Sequence, residues 1–111
     1  MEMSEALISR VVERFAALAD PVRVRILMRL KDGEADVSTL VSVCGASQAS
    51  VSKHLSVLRQ AGWVASRRHG TRVICSVADT ALFDICQLVC DGVRRQALAA
   101  YAELGPIPES T

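Results

Sequence analysis

A mainly α-helical fold with one two-stranded β wing is predicted by three features of this 111-residue chain. Apolar residues recur at helical spacing through most of its length. Two helical segments near the middle are joined by only a few residues around Gly45. Directly after them come two β-rich runs divided by His69-Gly70-Thr71. The length suits one domain, expected over residues 1–104. Residues 105–111, Gly-Pro-Ile-Pro-Glu-Ser-Thr, have no helical potential and are expected to form a flexible tail. Half of the residues are apolar and only 4% aromatic, so the core should be aliphatic.

The elements follow in order. Leu7, Ile8, Val11, Val12, Phe15 and Leu18 place an amphipathic helix over residues 5–18. Asp20-Pro21 is a start signal, an N-cap followed by proline at the first helical position. The helix after it carries Val22, Ile26, Leu27 and Leu30 on one side, and Asp32-Gly33 ends it. Asp36 or Ser38 can cap a short helix containing Leu40, Val41 and Cys44, which Gly45 terminates. Ser47 caps the next helix, which runs to about Gln60 and stops at Gly62. Trp63 to Arg68 and Arg72 to Val77 form the hairpin, with Cys75 alternating inward alongside Val73 and Val77. A last helix runs from about Asp79 to Tyr101, with Leu82, Ile85, Cys86, Val89, Cys90, Val93, Ala97 and Tyr101 as its apolar stripe. A helix-turn-helix followed by a basic hairpin is a winged helix-turn-helix.

Charge is distributed unevenly. The stretch from Val37 to Ala78 holds five Lys and Arg residues and no Asp or Glu. The whole chain has a formal charge of only +1, so the remainder carries −4. Local positive charge of this kind suits a phosphate backbone, which releases counterions when it is neutralised. Within the stretch, Val51, Leu55 and Leu58 should point into the domain. Ser47, Gln48, Ser50, Ser52, Lys53, His54 and Arg59 take the remaining positions as candidate DNA contacts. Gln pairs with adenine edges, Lys with guanine and Ser with either. For His54, packing or a phosphate contact is the better reading than base recognition. Arg67, Arg68 and Arg72 on the wing would neutralise phosphates or enter the minor groove.

Three segments carry a family resemblance: Leu18 to Leu27, Gln48 to Val64, and Arg67 to Val73. Its most specific part is Ser52-Lys-His-Leu55 followed by Leu58-Arg-Gln-Ala-Gly62. Over about residues 10–95 the chain resembles the arsenical-repressor (ArsR/SmtB) family of winged-helix transcriptional regulators. The resemblance implies a bacterial homodimer joined through its first and last helices. It implies a repressor that binds a double-stranded operator, an imperfect inverted repeat, and leaves it when an inducer binds. One arsenic- and lead-type site of the family uses a Cys-Val-Cys whose cysteines align with Asp36 and Ser38 here, so that site is absent. The zinc-type site on the last helix needs two histidines, and this chain has none after His69.

Cys86 and Cys90 remain, spaced i, i+4 on the last helix and so about 5–6 Å apart at Cβ on one face. Two thiolates can converge on one soft ion at a metal–sulfur distance of roughly 2.3 Å, the value for zinc. The ligand class is therefore an arsenical, As(III), or a soft divalent metal acting as inducer, with no obligatory cofactor. Cys44 and Cys75 are the lesser candidates for a third sulfur, since both fit core positions. The bland alternative holds for the pair as well, because a buried cysteine behaves as a small hydrophobe.

Two other functions compete. The same sulfurs would serve a redox or persulfide sensor, and a repressor with no small inducer would leave them in the core. An enzyme is not expected: neither histidine lies near the cysteine pair, and no phosphate loop or acid pair is present. The acidic start Met1-Glu2-Met3-Ser4-Glu5 is not a signal peptide, and the apolar runs are too short to span a bilayer. A cytoplasmic location with reduced thiols is expected.

Overall fold

The computed structural model describes residues 1–105, so the expected tail lies, but for Gly105, outside the described residues. The chain forms two compact units, Met1–Asp79 and the segment from Thr80 on.

The first unit contains α1 (Glu5–Leu18), α2 (Pro21–Lys31), β1 (Ala35–Asp36), α3 (Val37–Cys44), α4 (Gln48–Gln60), β2 (Val64–His69) and β3 (Arg72–Val77). Each helix start is held by a side chain that satisfies N–H groups the helix leaves open. Ser4 accepts from Leu7 N, Asp36 from Thr39 N at 2.8 Å, and Ser47 from Ser50 N at 3.1 Å. Asp20 accepts from Val22 N at 2.8 Å and Arg23 N at 3.2 Å. Of the two residues that could cap α3, Asp36 does so. Gly45 closes α3 in the left-handed region, at φ 62°, where a Cβ would be strained. That single residue makes the short turn between α3 and α4 possible.

The cap at Asp20 has a pH signature. Hydrogen bonding from the Arg23 N–H holds its carboxyl below the ordinary value of 3.8; burial opposes this, and the Val22 N–H and the His54 and Arg23 charges reinforce it. A carboxylate with a lowered folded-state pKa stabilises fully above its unfolded pKa, and the gain is lost as pH falls through the folded value. Asn caps a helix as well as Asp but does not titrate. Thermal unfolding between about pH 3 and pH 6 should therefore fall off less steeply for Asp20→Asn than for the parent. Equal slopes would exclude this carboxylate as a source of acid sensitivity.

The sheet has three strands in the order β1-β3-β2, all antiparallel. His69 pairs with Arg72, so the wing turn is the two residues Gly70-Thr71, with Gly70 at φ 65°. Glycine at the first central position suits a two-residue hairpin. β1 is an addition to the expected hairpin. Ala35 pairs with Cys75 and Asp36 with Ile74, which makes β3 the central strand. This changes the expected alternation: adjacent Ile74 and Cys75 are both buried, while Val73 and Val77 are only half-buried. The core gathers Ile26, Leu27 and Leu30 of α2, Leu40 of α3, Val51, Leu55 and Leu58 of α4, and Trp63. Of the predicted apolar face of α1, Leu7, Ile8, Val12 and Phe15 are exposed, Phe15 by 55%; only Ala17 of this helix is buried.

The second unit is α5 (Ala81–Leu104), which begins and ends later than its periodicity predicts. Leu82 is buried, but Leu88, Val89, Val93, Leu98, Tyr101 and Leu104 are exposed, Leu88 by 71%. No helix among the described residues is long and apolar enough to cross a membrane.

Candidate nucleic-acid interface and thiol pair

α4 is anchored along one face by Val51, Leu55 and Leu58, all at most 1% exposed. Burial of that stripe orients the rest of the helix. Ser47, Gln48, Ser52 and Lys53 stand exposed at its N-terminal half, and Ser50 is half-buried. The Ser47 hydroxyl oxygen is engaged as the helix cap. Gln48 and Ser52, one turn apart, look across an open cleft of about 330 Å³ toward Asp36 and Ser38 of the α3 start and Thr71 and Arg72 of the wing.

His54 does not stand with these residues. Its Nδ1 lies 3.1 Å from Arg23 Nη1. Arginine only donates, so in the neutral ring Nδ1 accepts and the proton sits on Nε2. Nε2 is 3.9 Å from Asp20 Oδ1. Arg23 is itself fastened to the end of α1, donating from Nε to the Ala17 carbonyl at 2.7 Å. His54 thus packs α4 against the start of α2, the structural one of its two expected roles. Arg59 is exposed at the far end of α4 and donates to Ser66 Oγ at 3.2 Å.

On the wing, the acid-free stretch acquires acids from just outside it. Arg67 pairs with Glu34 at 2.7 Å, and Arg72 with Asp36 at 2.9 Å. The β1–β3 pairing explains the second contact: Asp36 sits opposite Ile74, so Arg72, two residues away on β3, is its diagonal neighbour. Glu34 and Asp36 as wing partners are not legible in the sequence, because a two-residue strand has no periodicity to detect. Hydrogen bonding from the Thr39 hydroxyl and N–H, with Arg72 adding to it, holds the Asp36 carboxyl below its ordinary range. Among the described residues, Lys53 and Arg68 enter no ion pair.

The four cysteines form no disulfide. Cys75 is fully buried in β3, its Sγ 3.5 Å from Ser66 Oγ, as a core position requires. Cys44 is half-buried at the end of α3, and burial pushes its thiol above the ordinary value of 9.0, with Arg25 opposing. A raised thiol pKa leaves less thiolate and makes a poorer soft-metal ligand. Cys86 is half-buried and Cys90 exposed, one turn apart on α5. No group of three or more metal-ligating side chains comes together among the described residues.

A buried-stripe reading helix, its N-terminal half exposed beside a basic hairpin, defines a winged-helix DNA-binding regulator. Residues 20–66 match the family described as bacterial regulatory protein, arsR family. A probable mercury resistance operon repressor of Streptomyces lividans is 40% identical over 74 residues, 67% of this chain and 59% of that protein, so the chain spans less than two thirds of its length. The HTH-type transcriptional regulator Rv0081 of Mycobacterium tuberculosis is 40% identical over 97 residues, 86% of this chain and 81% of that one. Its crystal structure is similar with a TM-score of 0.70. The solution structure of the homodimeric winged helix-turn-helix domain of Mb0332 from Mycobacterium bovis, a possible ArsR-family regulator, has a TM-score of 0.75 and 31% identity, covering 85% of this chain and 93% of that one. The chain belongs to the ArsR family of bacterial regulatory proteins and is a DNA-binding transcriptional regulator, not an enzyme.

Proposed function

We propose that the protein is a cytoplasmic homodimeric repressor that leaves its operator when a thiophilic metal or metalloid is held by Cys86 and Cys90. The observation that carries this reading is the pair itself: two thiols one helical turn apart, one of them exposed, on a helix whose apolar residues are largely exposed. The similarity to a probable mercury resistance operon repressor supports a soft-metal inducer. Two sulfurs suffice for a linear or methylated species; a third donor for As(III) would come from the partner subunit.

The exposed apolar residues of α1 and α5 are the proposed dimer surfaces. Exposed residues such as Phe15 and Leu88 on such faces are typical of subunit interfaces. Two reading heads related by a two-fold axis fit an imperfect inverted repeat with half-sites about one helical turn apart. Gln48, Ser50, Ser52 and Lys53 are the proposed base and phosphate contacts on α4, with Ser47 and Arg59 at its two ends. Arg67, Arg68 and Arg72 belong to the wing contact. His54 acts there through packing.

The DNA surface is tested by Arg68→Ala. Binding to specific and unrelated duplexes should weaken together, and the slope of log K against log salt should become shallower by about 0.9 per subunit, about 1.8 for the dimer. An unchanged slope would remove the wing from the interface. The inducer is tested by titrating arsenite, a methylarsenite, mercury, cadmium, zinc and a persulfide donor separately against the reduced dimer on a fragment of its own promoter. Release by one thiophilic ion supports the reading. Release by the persulfide donor alone would make the protein a redox sensor, and release by none would place the cysteines in a structural role.

A further inference from the structure

Two of the three wing guanidinium groups are occupied before any DNA arrives. Arg67 and Glu34 are more than half exposed at a separation of 2.7 Å, and Arg72 binds Asp36 through both Nε, at 3.0 Å, and Nη2, at 2.9 Å. Exposed ion pairs contribute little to folding stability, so stability is a poor account of the Arg67–Glu34 pair; in the other pair Asp36 is 17% exposed but Arg72 stays 60% exposed. The geometry offers another account. Each of these contacts is to a single carboxylate oxygen, an anionic acceptor of the same kind as a non-bridging phosphate oxygen. Resting on the wing reading above, we infer that Glu34 and Asp36 are internal competitors of DNA phosphate, which hold Arg67 and Arg72 in check and set the affinity and salt dependence of operator binding.

The competition has a defined stoichiometry. A guanidinium that stays with its carboxylate neutralises no phosphate and releases no counterion. One that transfers to phosphate leaves a bare carboxylate beside the polyanion. In either case the wing contributes less than its three arginines would without Glu34 and Asp36. Arg68, with no ion pair among the described residues, is the wing cation that binds without exchange. The arrangement lets a protein of net charge +1 carry a basic hairpin without holding every DNA segment tightly. It also ties the wing to α3, because Asp36 caps that helix through Oδ1 while Oδ2 takes Arg72.

The experiment uses full-length protein, its own promoter fragment and an unrelated duplex over a range of salt. Glu34→Gln should tighten binding to both duplexes about two- to fivefold at low salt. The gain should shrink as salt rises, and the salt slope should steepen by about 0.9 per subunit, as one more phosphate is neutralised by each wing. Asp36→Asn should do the same through Arg72 while keeping the α3 cap, since Asn caps equally well. The steeper slope of Glu34→Gln should disappear when Arg67 is also replaced by Ala. A slope change that persists without Arg67 would mean that Glu34 acts by net charge alone, and the inference falls. Unchanged or weakened binding in Glu34→Gln and Asp36→Asn would overturn it as well. If Arg68→Ala shallows the slope while Glu34→Gln has no effect, this inference fails and the wing reading stands; if Arg68→Ala has no effect either, both fall.

Discussion

Cys86→Ser protein is expected to bind its operator as tightly as the parent and to stay bound at inducer concentrations that empty the parent's operator. Replacing groups that merely orient a metal ligand lowers affinity roughly 10- to 100-fold, so loss of a sulfur ligand should cost at least that. Serine keeps the size of the side chain and removes the soft donor. Cys90→Ser should behave in the same way. Cys44→Ser should respond like the parent, because the burial-raised thiol at the end of α3 is a poor source of thiolate. The readouts are operator release and metal binding by the free protein. Normal release by both Cys86→Ser and Cys90→Ser would make the pair structural. Loss of DNA binding in either would mean that the serine disturbs folding or dimerisation. The mechanism requires coupling between two sites. A ligand on α5, one of the proposed dimer helices, would change the relative pose of the two reading heads.

Trp63→Ala should be the most destabilising single change, by about 3–5 kcal/mol. Trp63 is 3% exposed, and its Nε1 donates to the Arg14 carbonyl at 2.9 Å. The Arg14 guanidinium lies 4.0 Å from the ring centroid and reaches Asp79 Oδ2 at 3.0 Å. One indole therefore fills the core below α4, holds α1 by its backbone and supports the cation that ties α1 to the end of the wing. Trp63→Phe keeps most of the apolar volume and forfeits the N–H, so its cost should be nearer 1–2 kcal/mol. Denaturant unfolding at fixed protein concentration measures both, since a dimer's stability depends on concentration. A loss below about 1 kcal/mol for Trp63→Ala would show that this cluster is not central to folding.

Local chemistry made most of the helical framework legible. Asp20-Pro21 starts α2, Gly45 ends α3 and Ser47 starts α4 because capping and left-handed backbone depend on neighbours within a few residues. The same locality explains why the buried stripe of α4 and its exposed polar half could be read from spacing. α5 was harder to bound. Its start lacks a side-chain cap hydrogen bond, so no residue type marks where it begins.

The identity of each wing cation's partner is a different kind of information. Glu34 and Arg67 lie 33 residues apart, and nothing between them announces β1. Of the two roles expected for His54, packing or a phosphate contact, the contact with Arg23, 31 residues earlier, matches packing. Cys75 and Ile74 are both buried although successive residues of a strand point to opposite faces, so alternation along β3 does not predict its burial. The sequence by itself determined the winged helix, the exposed polar face of α4, the basic hairpin and the i, i+4 thiols of α5, all of which follow from caps, turns and periodicities acting over a few residues. Only the tertiary structure decided which cations are already engaged and which cysteines are core, because ion pairing and burial depend on distances through space that the order of residues does not encode.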